Sequence, residues 1–303
     1  MNAQKTLAPR AWAELTLLSV IWGASFLSIR VALDEVPFVT AVAHRVGWAA
    51  LILWVYILVR RLPIPRDPLV WGAFMVMGVL NNVIPFSLMA WGQLHIETGL
   101  TSIFNAATAI FGVLVAALAF SDERLTANRF LGVIIGFIGV AIAIGLENLR
   151  NFDIRSLAQL AVLAGTVSYA CAGAWARKTL GTLPPQLAAA GMLTGSSLIM
   201  LPAALVIDGA PNFALQTDTV LAIAYYAIIA TAGAYLLYYR VLAMAGSGNL
   251  MLCTLLIVPV AILLGAIVRD EALSPNALIG FGILAIGLLV LDGRILRLLR
   301  RAP

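Results

Sequence analysis

Residues 121–139 read SDERLTANRFLGVIIGFIG and residues 269–287 read RDEALSPNALIGFGILAIG, and the offset of 148 between the two stretches decides the fold. Eight of the nineteen positions are identical: Asp122, Glu123, Leu125, Asn128, Gly132, Ile135, Ile138 and Gly139 recur as Asp270, Glu271, Leu273, Asn276, Gly280, Ile283, Ile286 and Gly287. Shared apolar composition alone yields about one or two matches. Near the start of each half, Arg30 and Leu33 correspond to Arg177 and Leu180 at an offset of 147. The chain reads as two copies of one unit, residues 1–148 and 149–303.

Composition says what solvent each copy meets. Of 303 residues, 62% are apolar and 11% charged, with a mean hydropathy of +1.00. Soluble domains are nearer half apolar and a quarter charged. So few charges cannot cover a water-facing surface, which excludes a soluble enzyme and a nucleic-acid binder. The net charge of +5 forms no basic patch, because the 19 Lys and Arg lie between apolar runs. Cys171 and Cys253 both sit inside such runs and read as small buried hydrophobes rather than a disulfide.

A bilayer core of about 30 Å needs roughly 20 apolar residues at about 1.5 Å each. Ten windows of that length are present, at 12–32, 38–59, 69–92, 99–120, 129–147, 157–177, 186–207, 219–242, 247–268 and 276–296. The first lacks a small-x-small cleavage site and is expected to stay as a span. An even number of spans puts both termini on one side. Placing them in the cytoplasm leaves fourteen of the nineteen Lys and Arg inside, as the positive-inside rule requires.

Each copy holds five spans, an odd number, so the second enters the membrane from the opposite side. The expected fold is all-α and integral to the membrane, ten transmembrane helices as two inverted five-helix repeats. Inverted halves around a midplane site are the architecture of secondary transporters working by alternating access. Thr126 and Ser274 are expected to cap spans five and ten, with Pro275 at the first helical position. The Asp-Glu pairs before those caps read as hydrated turns. Gly132, Gly136 and Gly139 share one helix face and read as close helix packing.

The ten spans in two halves, Trp22-Gly23 followed by Arg30, the Asp-Glu-x-Leu turns and Pro259 in span nine together resemble the drug/metabolite transporter (DMT) superfamily, EamA type. The likeness is strongest to bacterial aromatic amino acid exporters of the inner membrane. It implies efflux of small metabolites through a cavity lined by spans one, three, four, six, eight and nine. One departure stands out: the family pattern usually has a Glu just before the second-half proline, and here Ile257 and Val258 precede Pro259.

Helix breaks at corresponding positions of the halves point to the substrate site. Pro85 in span three corresponds to Gly233 in span eight, and with Pro259 they are the expected hinges. Pro85 cannot donate to the carbonyl of Asn81, which would then be free beside the side chains of Asn81 and Asn82. Around Gly233 lie Thr231, Tyr235, Tyr238 and Tyr239, and in span nine Pro259 follows Thr254. In span four, Thr101, Ser102, Asn105 and Thr108 form a polar stripe, with Asn105 equally suited to bonding a neighbouring helix. Trp22, Tyr169 and Trp175 are candidate aromatic walls, whereas Trp12, Trp48, Trp54 and Trp71 read as interfacial anchors and Pro202 as a lipid-facing kink. The candidate substrate contacts are therefore Trp22, Asn81, Asn82, Pro85, Asn105, Tyr169, Trp175, Thr231, Tyr235, Tyr239 and Thr254.

Arg45 lies about 10 Å into span two. A snorkelling cation, a partner for Asp34 or Glu35, and a functional group are all open readings of it. Of the 14 acids only Glu14, one turn from Arg10, falls inside an apolar window, so no midplane proton relay is expected. The sequence implies no cofactor, metal or nucleic acid. The expected partners are a small-molecule substrate and the lipid bilayer, with the chain a monomer. A polytopic enzyme acting on lipid or isoprenoid substrates is the rival reading. The two Asp-Glu pairs argue against it, because this topology puts them on opposite membrane faces.

Overall fold

The computed structural model describes residues 8–121, 125–144, 154–212, 214–238, 240–241, 244 and 252–292. Among them are ten apolar helices in the order of the ten windows. The first half holds α1 (Pro9–Ala32), α2 (Phe38–Val59), α3 (Pro68–Gly92), α4 (Thr98–Ala119) and α5 (Ala127–Ile144). The second holds α6 (Ile154–Thr179), α7 (Pro185–Ile207), α8 (Thr217–Tyr238), α9 (Leu252–Arg269) and α10 (Pro275–Asp292). Except for α9, whose window starts outside the described residues, each helix begins within three residues of its window. The junction near residue 148 and the Asp122-Glu123 pair also lie outside them.

The starts follow local chemistry. Proline occupies the first turn of α1, α3, α7 and α10, where its missing N–H is no loss. Asp67 accepts from the Leu69 amide at 2.9 Å, Thr126 from Arg129 at 3.4 Å and Ser274 from Ala277 at 3.2 Å. Outward faces carry bare apolar side chains, Leu118 89% and Val206 83% exposed, as lipid contact requires. Pro202 is exposed and α7 runs on through it. Trp12 and Trp48 face outward, but Trp54 and Trp71 do not act as free anchors. They stack at 6.1 Å, and Trp54 Nε1 donates to Thr194 of α7 at 2.7 Å, joining α2, α3 and α7.

The pairing of helices obeys the repeat. α1 packs on α9 and α8, while α6 packs on α4 and α3; α2 packs on α8, and α7 on α3. Three pairs join equivalent helices: α2 with α7, α4 with α9, and α5 with α10. Exchanging the halves therefore leaves these pairings unchanged. With five helices per half, the two-fold axis lies in the membrane plane. The expected glycine face is the α5–α10 contact. A β-carbon on Gly132 would stand 2.7 Å from the Gly287 carbonyl oxygen, and one on Gly139 2.7 Å from that of Gly280. Indices that fall on one helix as they rise on the other mark an antiparallel crossing of backbones.

The helix ends opposite the N-terminal end are tied together by acids. Asp34 meets Arg30 at 2.6 Å and also pairs with Arg269. Glu97 meets Arg155 at 2.7 Å. Asp208 accepts from the Thr40 amide at 2.8 Å and its hydroxyl at 2.7 Å, closing the first turn of α2. Glu271 accepts from the Thr98 amide at 2.9 Å and hydroxyl at 2.7 Å, doing the same for α4. The turn expected to be merely hydrated is thus an inter-helix cap, because its carboxylate reaches amides that the first helical turn leaves without partners. At the N-terminal end, Glu14 bonds Arg10 at 3.2 Å and Arg240 at 2.5 Å.

Candidate substrate site

A π-helical turn precedes Pro85 and another ends at Gly233, whereas α9 runs on as regular helix through Pro259. In α3 the wide turn covers Val79–Val83, and in α8 it covers Tyr225–Gly233. Shifted by 148, the first falls inside the second. Such insertions loosen the helix and collect at functional sites. In α3 the Ile84 amide bonds the Val79 carbonyl, five residues back. Pro85, the next residue, has no amide to donate. Ser168 of α6 donates to the Leu80 carbonyl at 2.6 Å. In α8 the Ala230 carbonyl accepts from Trp22 Nε1 of α1 at 3.1 Å. Ser168 and Trp22 occupy neighbouring positions of equivalent helices.

A polar cluster links the α3 turn to the part of α8 that follows its own turn. Asn81 Nδ2 donates to the Tyr235 hydroxyl at 3.1 Å, and that hydroxyl donates to Asn82 Oδ1 at 3.5 Å. Asn82 is wholly buried and donates to Ser196 of α7 at 2.7 Å, and Ser196 in turn donates to the Met192 carbonyl at 2.8 Å. The cluster joins α3, α7 and α8 near the middle of α3. Each such bond contributes about 1 kcal/mol, and an orphaned buried amide would cost about 1–3 kcal/mol.

Arg45 sits nearer the opposite end. Its Nε donates to Thr231 at 3.1 Å, Thr231 donates to the Tyr226 carbonyl at 2.7 Å, and the Tyr226 hydroxyl donates to the Ala41 carbonyl at 3.1 Å. The guanidinium lies 3.8 Å from the centroid of the Phe86 ring, which meets Tyr169 edge-on at 6.4 Å. A narrow pocket lined by Ile29, Ala41, Val42, Arg45, Phe86, Ala90 and Tyr226 opens beside it. Asp34 and Glu35 are engaged by Arg269 and the Gln216 amide, so neither is the partner of Arg45. Snorkelling is equally absent, since the head stacks inward on α3. An arginine at the centre of a membrane helix costs about 2.5–3.5 kcal/mol on insertion, an upper bound for Arg45, and a desolvated cation–π contact returns about 2 kcal/mol.

The other sequence candidates scatter. Trp175 donates to the Ala73 carbonyl at 3.1 Å and is a joint between α6 and α3. Pro85 is buried against Gly165 of α6, while Gly233 and Pro259 face outward. Asn105 is half-buried just before a break in α4 at Ala107, and its carbonyl accepts from Thr108 at 2.7 Å. Thr101 and Ser102 turn back onto their own helix, bonding the carbonyls of Glu97 and Gly99. Thr254 is half-buried in α9, and Tyr239 lies outside the described residues. The cluster thus brings together Asn81, Asn82 and Tyr235, while Thr231 bonds Arg45 and Tyr169 meets the Phe86 ring that Arg45 covers. Ser168, Met192, Ser196 and Tyr226 were not singled out. Their only signal is polarity or sulfur on an apolar stretch, which membrane helices carry at many joints. Among the described residues no three His, Cys, Asp or Glu side chains converge to hold a metal.

Known proteins resemble the chain along nearly its whole length. Residues 12–145 and 156–291 each match the EamA-like transporter family. A "Probable amino-acid metabolite efflux pump" of Escherichia coli is 25% identical over 288 residues, 90% of this chain and 92% of its own. A "Probable terminal-alkyne amino-acid exporter" of Streptantibioticus cattleyicolor is 25% identical over 304 residues, 98% of this chain and 97% of its own. A solved crystal structure superposes with a TM-score of 0.67, covering 93% of this chain and 97% of that one at 16% identity, which speaks to the fold alone.

Proposed function

The chain belongs to the EamA-like transporter family, a multi-pass membrane transporter of small molecules and not an enzyme, and from that premise we propose that it exports amino acids, aromatic or large neutral, by alternating access. The observation that carries this reading is the pair of π-helical turns at equivalent positions of α3 and α8, linked by hydrogen bonds from Asn81 and Asn82 in the first to Tyr235 just beyond the second. Helix breaks facing each other across a two-fold axis are where inverted-repeat carriers bind and where their halves rock. The amide and hydroxyl groups suit a zwitterion, and Trp22, Tyr169 and Tyr235 suit an apolar or aromatic side chain. The exporter names carried by the relatives agree in kind. On this reading residues 1–148 and 149–303 are the rocking halves and Pro85, Gly233 and Pro259 flank the moving segments. The chain lies in a bacterial inner membrane as a monomer with both termini cytoplasmic.

Coupling on this reading does not use a midplane acid, since Glu14 is held by Arg10 and Arg240 at the N-terminal end. The test is counterflow in liposomes with labelled amino acids. Exchange of phenylalanine, tryptophan or leucine is expected, and no exchange with any amino acid would overturn the substrate class. Uphill flux driven by a pH gradient alone and lost in Glu14→Gln would overturn the coupling.

A further inference from the structure

The Arg45 guanidinium is bound on one edge only. Its Nε is committed to Thr231 at 3.1 Å and its face to Phe86 at 3.8 Å. The two terminal nitrogens have no hydrogen-bond partner among the described residues, and no carboxylate among them pairs with this cation. Three acids at the helix ends on that side are engaged elsewhere: Asp34 by Arg30 and Arg269, Glu35 by the Gln216 amide, Asp208 by Thr40. The other side chains against Arg45 are phenolic or apolar, and the pocket beside it is walled by Ile29, Val42, Phe86 and Ala90. A cation fixed by one nitrogen and one face presents its remaining N–H groups as a planar fork, the geometry that grips a carboxylate with two parallel bonds.

We propose that Arg45 is the anion contact of the substrate site: its terminal nitrogens bind the carboxylate of the transported molecule in a bidentate pair, with Thr231 and Phe86 as the positioning groups. The inference rests on reading the bundle as a small-molecule transporter with its site at the helix breaks. One cation in an apolar pocket matches one negative charge. A phosphate group carries about 1.5–2 charges and would leave the excess in a hydrocarbon-like wall. The Asn81–Asn82–Tyr235 cluster lies nearer the middle of the bundle and offers oxygens for an ammonium group attached to the same molecule. The pocket is narrow in this conformer, so a bulky side chain enters only as helices part, the same motion that alternating access requires.

The probes that isolate this contact are 3-phenylpropionate and 3-phenylpropanamide, alike in shape and different in charge. Binding is read as the concentration-dependent rise in Tm of the purified protein in detergent. The wild type is expected to bind the carboxylate at least about tenfold more tightly than the amide, the ratio that about 1.4 kcal/mol sets. Arg45→Gln is expected to bind both alike, and Arg45→Lys, which keeps the charge and loses the fork, to fall between. Should Arg45→Gln fail to fold, Arg45→Lys and Thr231→Val carry the test, each lowering the preference several-fold. Equal binding of the two probes by the wild type, binding of neither, or a preference that survives in the variants would overturn the proposal. A carboxylate preference without counterflow of any amino acid would sink the exporter reading and leave Arg45 as an anion site. Counterflow with no charge preference would do the reverse.

Discussion

Gly139 and Gly280 touch backbone to backbone: a β-carbon on the first would stand 2.7 Å from the carbonyl oxygen of the second, and one on the second 2.6 Å from that of the first. No methyl group fits at either distance without the helices moving. Gly139→Ala and Gly280→Ala are each expected to destabilise the bundle by about 1–3 kcal/mol, the usual cost of overpacking. Gly282→Ala, with nothing within 4 Å of its added carbon, is the neutral control. Thermal unfolding in detergent checks all three, and equal Tm values would refute the contact.

Tyr235→Phe removes the hydroxyl that accepts from Asn81 and donates to Asn82 while keeping the ring. Counterflow affinity is expected to weaken about five- to tenfold, the equivalent of about 1–1.4 kcal/mol for one hydrogen bond. Asn82→Ala empties a wholly buried position facing Ser196 and is expected to cost about 1–3 kcal/mol of stability as well.

Asp34 gives the end opposite the N terminus a pH dependence. Burial pushes its carboxyl up, but the hydrogen bond from Arg269 and the charges of Arg30 and Arg269 outweigh this and hold it below the ordinary 3.8. A depressed carboxylate stabilises the fold fully above its unfolded value and loses that contribution as pH falls through the folded one. The Tm of the wild type is therefore expected to exceed that of Asp34→Asn at neutral pH, and the gap to close as pH drops below about 4. A gap unchanged down to that range would show that the ion pair contributes nothing.

Asp208→Ala and Glu271→Ala each leave first-turn amides of another helix without an acceptor, at Thr40 of α2 and Thr98 of α4. Each is expected to cost about 1 kcal/mol. Because the two caps serve different helices, their effects in the double variant are expected to add. Cysteines placed beside Thr40 and Thr98 should also gain reactivity toward an impermeant thiol reagent in those variants.

The ten helices, their starts and the repeat are legible in the sequence because each depends on local chemistry. A window of 20 apolar residues, a capping Thr126 or Ser274, and a proline in the first turn are all settled within a few residues. Pro85 and Gly233 mark the breaks for the same reason. What the breaks become is not legible there: ahead of Pro85 the turn widens, and the Leu80 carbonyl accepts from Ser168 of α6. The choice between an ordinary and a π-helical turn depends on a donor from another helix, which no local window contains. Trp175, which reads as an aromatic wall, and Trp54, which reads as an interfacial anchor, depend on the same kind of information: each indole finds its acceptor more than a hundred residues away.

Arg45 shows where the two kinds of information divide. Its position in the sequence determined its depth, because rise per residue is constant along a helix. Whether it turned to lipid, to Asp34 or to the interior depended on the rotation of α2 about its own axis, and that is decided by many small packing contacts with α3, α7 and α8. The sequence by itself determined that ten spans form two copies of opposite orientation, a matter of periodicity and of an odd count per copy. Only the tertiary structure decided which side chains those copies bring face to face, because Arg45 and Thr231 are 186 residues apart and meet through the summed packing of whole helices.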